Sequence, residues 1–326
     1  MDSAVASRLQ LPVFDRSIAL QTYELSKIYR AGFWMNKKVP SLNGVSLTVY
    51  EGETFGLLGQ NGAGKTTLLK TLLGIVRPTS GRATVLGEPL GDRSVKQRIG
   101  YLPENPYFYD YLTGWEVLNF TGDLFGIERS QQRKRIPELL DLVGLAQSAA
   151  KKKQLRQYSK GMLQRIGLAQ ALINDPDLVF LDEPMSGLDP LGRYQMREII
   201  LSLKSQGKTI FFNSHVLSDV EKICDRVALL AKGELIAIGS MQDLLGTAEH
   251  YQVTVKGGRP EMLSQWIPKL DLQDGLWTGQ LNGQPEDFLG SLRLMNAQLI
   301  SIELARPSLE EFFVRQLRER GIQSSS

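Results

Sequence analysis

Gly59-Gln-Asn-Gly-Ala-Gly64-Lys65-Thr66 brings together the residue types that hold a phosphate group. The stretch fits the pattern G-x-x-x-x-G-K-[ST] without a mismatch. Glycines let the backbone curl until several N–H groups point at one anion, and a helix N-terminus adds its positive dipole end. Thr54–Leu58 leads in like a buried strand and Thr67–Leu73 leads out like a helix, which is the context this loop requires. Lys65 is expected to reach β- and γ-phosphates, and the Thr66 hydroxyl to hold Mg²⁺.

A second set of residues suits the chemistry of breaking a phosphate bond. The apolar run Leu178–Leu181 ends in Asp182-Glu183. A carboxylate at the tip of a core strand is costly unless it meets a cation, so Asp182 fits Mg²⁺. Glu183 lies one residue further, where a base can polarise an attacking water. His215 follows the strand Thr209–Asn213, read as a neighbour of the Asp182 strand. A lone histidine at a strand end is more often structural, but here its imidazole can touch the γ-phosphate and steady that water. His250 has no comparable setting. Tyr158-Ser159-Lys160-Gly161-Met162 opens a helix, and reads either as a plain N-cap or as an anion-binding helix terminus.

These residues need a scaffold that gathers strand ends. Leu178–Leu181 and Thr209–Phe212 are short continuous apolar runs, typical of strands covered on both faces of a parallel sheet. Helical patterns alternate with them, at Thr113 to about Ala150 and at Gly161–Ile173. An open α/β sheet follows, with its ligands at the carboxyl ends of the strands. Thr22–Leu25 and Val45–Val49 read as further strands, joined by a long connection, Arg30–Lys38. A composition shift near Gly246 opens a smaller α+β region. Its strands are expected at Tyr251–Val255, Leu276–Leu281 and Leu299–Leu304, with helices at Glu261–Ile267 and Pro285–Met295. Ser308 and Glu311 form a capping box on a closing helix. The expected boundaries are a tail over 1–16, a main domain over 17–243 with helices at about 104–160, and an accessory domain over 244–326.

Taken in order, the motifs resemble those of ATP-binding cassette (ABC) transporter ATPase subunits, and the match covers about Thr22 to Gly239. The fold implied is an α/β P-loop NTPase core with a helical subdomain and a small C-terminal α+β domain. Carried over by position, the resemblance makes Gly59, Asn61, Gly62, Ala63, Gly64, Lys65, Thr66 and Thr67 the nucleotide-holding Walker A loop. Asp182 becomes the Walker B carboxylate, Glu183 the catalytic glutamate and His215 the switch histidine. Ser159 and Gly161 belong to the family signature, and Asp189 closes the D-loop Ser186–Asp189. Tyr29 takes the place of the adenine-stacking aromatic, with Phe33 and Trp34 as competitors. Two positions depart from the family. Lys160 and Met162 replace a Gly and a Gln of the signature, and Glu104 stands where Gln is usual. Glu104 still suits Mg²⁺ or its water, but it also repels phosphate. Export-type members often carry both departures, and the ending Pro307–Phe313 is also similar to theirs.

The resemblance further implies ATP and Mg²⁺ as cofactors and a head-to-tail pair with a second copy or a homologous subunit. It also implies a membrane permease that contacts the Glu104–Tyr111 region at the cytoplasmic face. Pro106–Tyr111, with four aromatics, reads either as local packing or as that docking surface. The 326 residues carry a net charge of +3, too near neutral to suggest a nucleic-acid partner. The single cysteine, Cys224, excludes internal disulfides and points to a reducing compartment. Met1-Asp-Ser-Ala lacks the features of a signal peptide, and no apolar run approaches the roughly 18–20 residues of a membrane span. The rival reading is a soluble cassette ATPase in translation or repair. Its members usually carry two cassettes or a long coiled coil, and neither is evident here.

Overall fold

The computed structural model of the chain describes residues 16–32, 36–246, 250–305 and 307–321. Two compact units divide between Ile238 and Gly239. Residues 1–15 of the expected tail, Phe33, Trp34 and Ser324–Ser326 lie outside the described residues.

The first unit begins with a long hairpin, β1 (Ile18–Ala31) and β2 (Lys37–Tyr50). Both ends of the expected Arg30–Lys38 connection are strand, since Arg30 pairs with Lys38 and Ala31 with Lys37. Register shifts along the pair interrupt the two-residue alternation, so side-chain polarity alone understates the strands. The chain continues with β3 (Thr54–Leu58), α1 (Lys65–Leu72), β4 (Ser80–Val85), β5 (Glu88–Pro89) and β6 (Ile99–Leu102). Three helices follow: α2 (Gly114–Leu124), α3 (Arg129–Leu142) and α4 (Gln147–Lys152). The sequence pattern runs through them as one stretch. Gly126 (φ +69°) and Gly144 (φ +63°) cut it, each standing just past a helix end in the left-handed conformation that closes helices. Then come α5 (Lys160–Ala171), β7 (Leu178–Asp182), α6 (Pro190–Ser205), β8 (Thr209–Asn213), α7 (Leu217–Ile223), β9 (Arg226–Ala231) and β10 (Glu234–Ser240).

One sheet has the order β2-β1-β4-β5 and is antiparallel in its pairings. The other has the order β10-β9-β3-β8-β7-β6, and β9, β3, β8, β7 and β6 run parallel. Every residue of β3, β7 and β8 is buried, as strands covered on both faces must be. Phe211 meets Phe55 and Phe180 at ring-centroid distances of 5.8 and 5.5 Å. Leu68, Leu69 and Leu72 of α1 join the same core, together with Leu20, Val45 and Val85 from the antiparallel sheet. Each such side chain contributes about 1.5–3 kcal/mol through burial. This packing sets the P-loop helix against both sheets.

The second unit contains α8 (Met241–Leu245), β11 (His250–Gly257), α9 (Pro260–Leu263), β12 (Asp271–Gln273), β13 (Leu276–Leu281), α10 (Pro285–Leu292), β14 (Ala297–Ala305) and α11 (Leu309–Glu319). Its sheet is antiparallel, in the order β12-β13-β11-β14. Val253, Val255, Leu263, Ile267, Leu281, Phe288, Leu292 and Met295 form its core. The helix expected over Glu261–Ile267 stops at Leu263. Turns follow as far as Ile267, whose N–H donates to the Leu263 carbonyl at 2.8 Å, and Pro268 lies just beyond. The capping box at Ser308 and Glu311 is formed. Among the described residues, no helix is long and apolar enough to cross a membrane.

Candidate active site

Four neighbouring strands of the parallel sheet, β3, β8, β7 and β6, end on the same side. In register, Leu57 lies beside Asn213, Asn213 beside Asp182, and Leu181 beside Leu102. Each strand releases chemistry at its tip: the glycine loop after β3, His215 after β8, Asp182-Glu183 at the end of β7, and Glu104 after β6. Hydrophobic burial along the strands thus holds polar tips at one edge of the sheet.

The loop from Gly59 to Gly64 is shaped by close backbone approach. A Cβ on Gly59 would stand 2.3 Å from the Leu230 carbonyl, and one on Gly64 (φ +106°) 2.4 Å from the Ser41 carbonyl. The first bond of α1 runs from Leu68 N–H to the Gly64 carbonyl at 2.9 Å. The N–H groups of Lys65, Thr66 and Thr67 therefore have no acceptor within the helix. Asn61, Gly62 and Thr66 are exposed, while Ala63 is buried. Thr67 Oγ1 accepts from the Ser41 hydroxyl at 2.8 Å, a link that ties β2 to the helix start.

Lys65 is buried, and its ammonium donates to the carbonyls of Gly59 (2.6 Å) and Gln60 (3.4 Å). Burial pulls its pKa below the usual lysine range, against the opposing pull of Glu183, Asp182 and Glu104. Asp182 is pushed above the usual carboxylate range, first by burial and then by the negative charge of Glu183 and Glu104; the bond from Asn213 opposes this. One lysine thus faces three carboxylates. The arrangement lacks positive charge, and a divalent cation fits it. Among the described residues, no cluster of three His, Cys, Asp or Glu encloses a metal by itself.

Glu183 adopts a left-handed backbone (φ +50°), rare for a side chain with a Cβ. Its N–H donates to the Asn213 carbonyl at 2.9 Å, and its Oε2 lies 2.7 Å from His215 Nδ1. An ionised carboxylate only accepts, so Nδ1 carries the hydrogen in this contact. Glu104 is exposed. Its carbonyl accepts from the Gln164 amide at 2.6 Å, and its Oε1 from the Ser186 hydroxyl at 3.5 Å.

Three of the expected positions sit at helix starts. Ser159 caps α5 by accepting the Met162 N–H (3.3 Å), and Asp189 caps α6 by accepting the Gly192 N–H (3.0 Å). Gly161 lies near Leu188, and the Lys160 side chain covers Gly187 so closely that a Cβ there would be 2.3 Å from its Nζ. The signature and D-loop segments therefore pack together. Among the described residues, no hydrogen bond joins Ser159 or Gly161 to Lys65, Asp182 or Glu183. Tyr29 is part of β1, opposite Val39, with Lys27 Nζ 5.0 Å from its ring centre. Sequence reasoning missed Asn213 and Gln164. An amide closing an otherwise apolar strand was the available signal for Asn213. Gln164 touches Glu104 across 60 residues of chain, a contact that local pattern does not reveal.

A family model described as ABC transporter matches residues 42–186. An ABC transporter ATP-binding protein of Synechocystis sp. is 63% identical over 306 residues, which span 94% of this chain and 86% of that protein. A Nod factor export ATP-binding protein of a Rhizobium species is 37% identical over 281 residues, with 84% and 91% covered. The solved structure of an ATP-binding subunit of an ABC transporter is similar with a TM-score of 0.61 and 31% identity, over 69% of this chain and 91% of that one. Identity this high over nearly the whole length reflects kinship and not only a shared fold: the chain belongs to the ABC transporter ATP-binding proteins and is an ATPase of that family.

Proposed function

We propose that this chain is the motor of a membrane exporter, working as a head-to-tail pair and driving a separate permease. The observation that carries the reading is the cluster of Lys65, Asp182, Glu104 and the Glu183–His215 pair on adjacent strand tips. The Thr66 hydroxyl, Asp182 and Glu104 supply hard oxygen donors for Mg²⁺. When bound, Mg²⁺ neutralises charge on the β- and γ-phosphate oxygens. The unsatisfied N–H groups at the start of α1 bind phosphate oxygens, and the Lys65 ammonium exchanges its loop carbonyls for the same anion. Glu183 accepts the proton of the attacking water, and His215 holds Glu183 in place through Nδ1. Ser159 and Gly161 make no hydrogen bond to Lys65, Asp182 or Glu183 among the described residues, and in this reading they act on a partner's nucleotide. Tyr29 is the aromatic offered to adenine.

Export rests on the likeness to the Nod factor export protein and on Lys160, Met162 and Glu104. Docking to a permease is supported by Tyr107, Tyr109 and Tyr111, which are 90%, 60% and 59% exposed. Tyr109 and Tyr111 pack against each other with ring centroids 5.7 Å apart yet stay exposed, and exposed aromatics suit an interface anchor. The 244–326 region is the accessory domain of this motor.

The test is gentle affinity purification of the full chain from native membranes. A stoichiometric multi-span partner supports the exporter reading. A clean soluble dimer, ribosomes or repair proteins would overturn it and leave the ATPase chemistry alone. Within that chemistry, Glu183→Gln should bind MgATP and pair through it, with turnover at least ~100-fold lower. Wild-type turnover in a pure sample would remove Glu183 from the role of base.

A further inference from the structure

Asn213 is the residue that joins the parts of this site, and the family motifs carried over above assign it nothing. It ends β8, between the P-loop strand and the Asp182 strand, and is 1% exposed. Its side-chain Nδ2 donates to Asp182 Oδ1. Its carbonyl accepts the N–H of Glu183 at 2.9 Å. The orientation of the amide is forced, because a carboxylate accepts and does not donate. Asn213 Oδ1 is therefore an acceptor, and among the described residues it is buried with no hydrogen-bond partner. An orphaned buried acceptor costs about 1–3 kcal/mol. A residue serving packing alone would be apolar here, like Phe211 and Phe212 before it.

We propose that Asn213 is a positioning residue for the metal half of the ATPase site: its amide fixes Asp182 for the cation, and its unpartnered Oδ1 awaits a donor that arrives with the nucleotide and its hydrated metal. Metal-bound water is such a donor, and Mg²⁺ keeps several waters when it binds. The same residue holds the Glu183 backbone, so the carboxylate that meets the cation and the base for the water move as one. The proposal rests on the reading of Asp182 as a metal ligand.

The experiment uses the full chain and separates metal from nucleotide. A fluorescent ATP analogue is titrated in EDTA and in Mg²⁺, and Mn²⁺ binding is followed by electron paramagnetic resonance with a non-hydrolysable ATP analogue. For Asn213→Leu, affinity in EDTA should stay within about twofold of wild type, while metal affinity falls about 10–100-fold, as for loss of a group that orients a metal ligand. Asn213→Ser replaces the amide donor with a hydroxyl donor and should recover part of the loss. If the leucine variant does not fold, Asn213→Ala takes its place with the same expectation. Unchanged metal affinity, or an equal loss in EDTA and in Mg²⁺, overturns the proposal. Asp182→Asn is the control that separates the two readings. If it loses metal affinity while the Asn213 variants do not, only the role of Asn213 fails. If it loses none, the reading of Asp182 fails as well.

Discussion

Glu183 holds a left-handed backbone at φ +50° while its side chain is drawn to His215. For a residue with a Cβ, that conformation costs about 1–2 kcal/mol. The strain is met by the N–H bond to Asn213 and the 2.7 Å contact to His215. Comparing Glu183→Ala with Glu183→Gly isolates it. Both variants lose the carboxylate and the histidine contact, but only glycine relieves the backbone. Glycine also costs about 0.5–1 kcal/mol more than alanine in lost chain entropy on folding. The difference leaves Glu183→Gly more stable than Glu183→Ala, by about 0.5–1 kcal/mol at mid-range. In ordinary strands and helices the order is the reverse. Urea unfolding of the nucleotide-free variants, followed by tryptophan fluorescence, measures the gap. Phosphate release should be reduced at least ~100-fold in both, since neither has the base. If Glu183→Ala is the more stable by 1 kcal/mol, the backbone at this residue is not left-handed in solution, and the argument for strain at the site falls.

Lys65→Ala removes the ammonium that the loop folds around, and nucleotide affinity should drop at least ~10-fold; unchanged affinity by fluorescent-ATP titration would refute its phosphate role. Serine at Phe108 or Tyr109 should uncouple transport in the assembled complex and leave the ATPase rate of the isolated chain within about twofold. Equal loss of both would mark the segment as structural. Glu53 is buried against Arg226 (3.0 Å), and burial raises its pKa above 4.5 despite the Tyr50 N–H and the guanidinium. The folded state therefore holds this proton more tightly than the unfolded one, and the stabilisation is present below pH 4.5 and lost as pH rises through the folded value. Glu53→Gln lacks that loss, so its stability relative to wild type should improve between pH 4.5 and neutrality. A constant gap in urea midpoints would contradict the sign.

The chemistry of this protein was legible wherever a motif coincides with a change from apolar to polar within a few residues. Gly59–Thr66, Asp182-Glu183 and His215 each follow a buried strand. Parallel sheets place such tips together, so pattern and spacing were enough to predict one site. Ser159 and Ser308 were equally legible as helix starts, because an N-cap is satisfied within three or four residues of chain. Tertiary structure decided what depends on distant partners. The order β3-β8-β7-β6 put Asn213 between the two motif strands and gave it both Asp182 and Glu183 to hold. The contacts of Gln164 with Glu104 and of Ser41 with Thr67 span 60 and 26 residues, beyond any local period. Cross-strand pairing lengthened β1 and β2 past their hydrophobic pattern, and two left-handed glycines divided a continuous helical signal into three helices. The exposure of Tyr107, Tyr109 and Tyr111 was also undecided by sequence, since an aromatic run has the same composition whether it packs inward or faces a partner. Local chemistry is written in adjacent residues, whereas burial and register are settled only when remote segments compete for the same contacts.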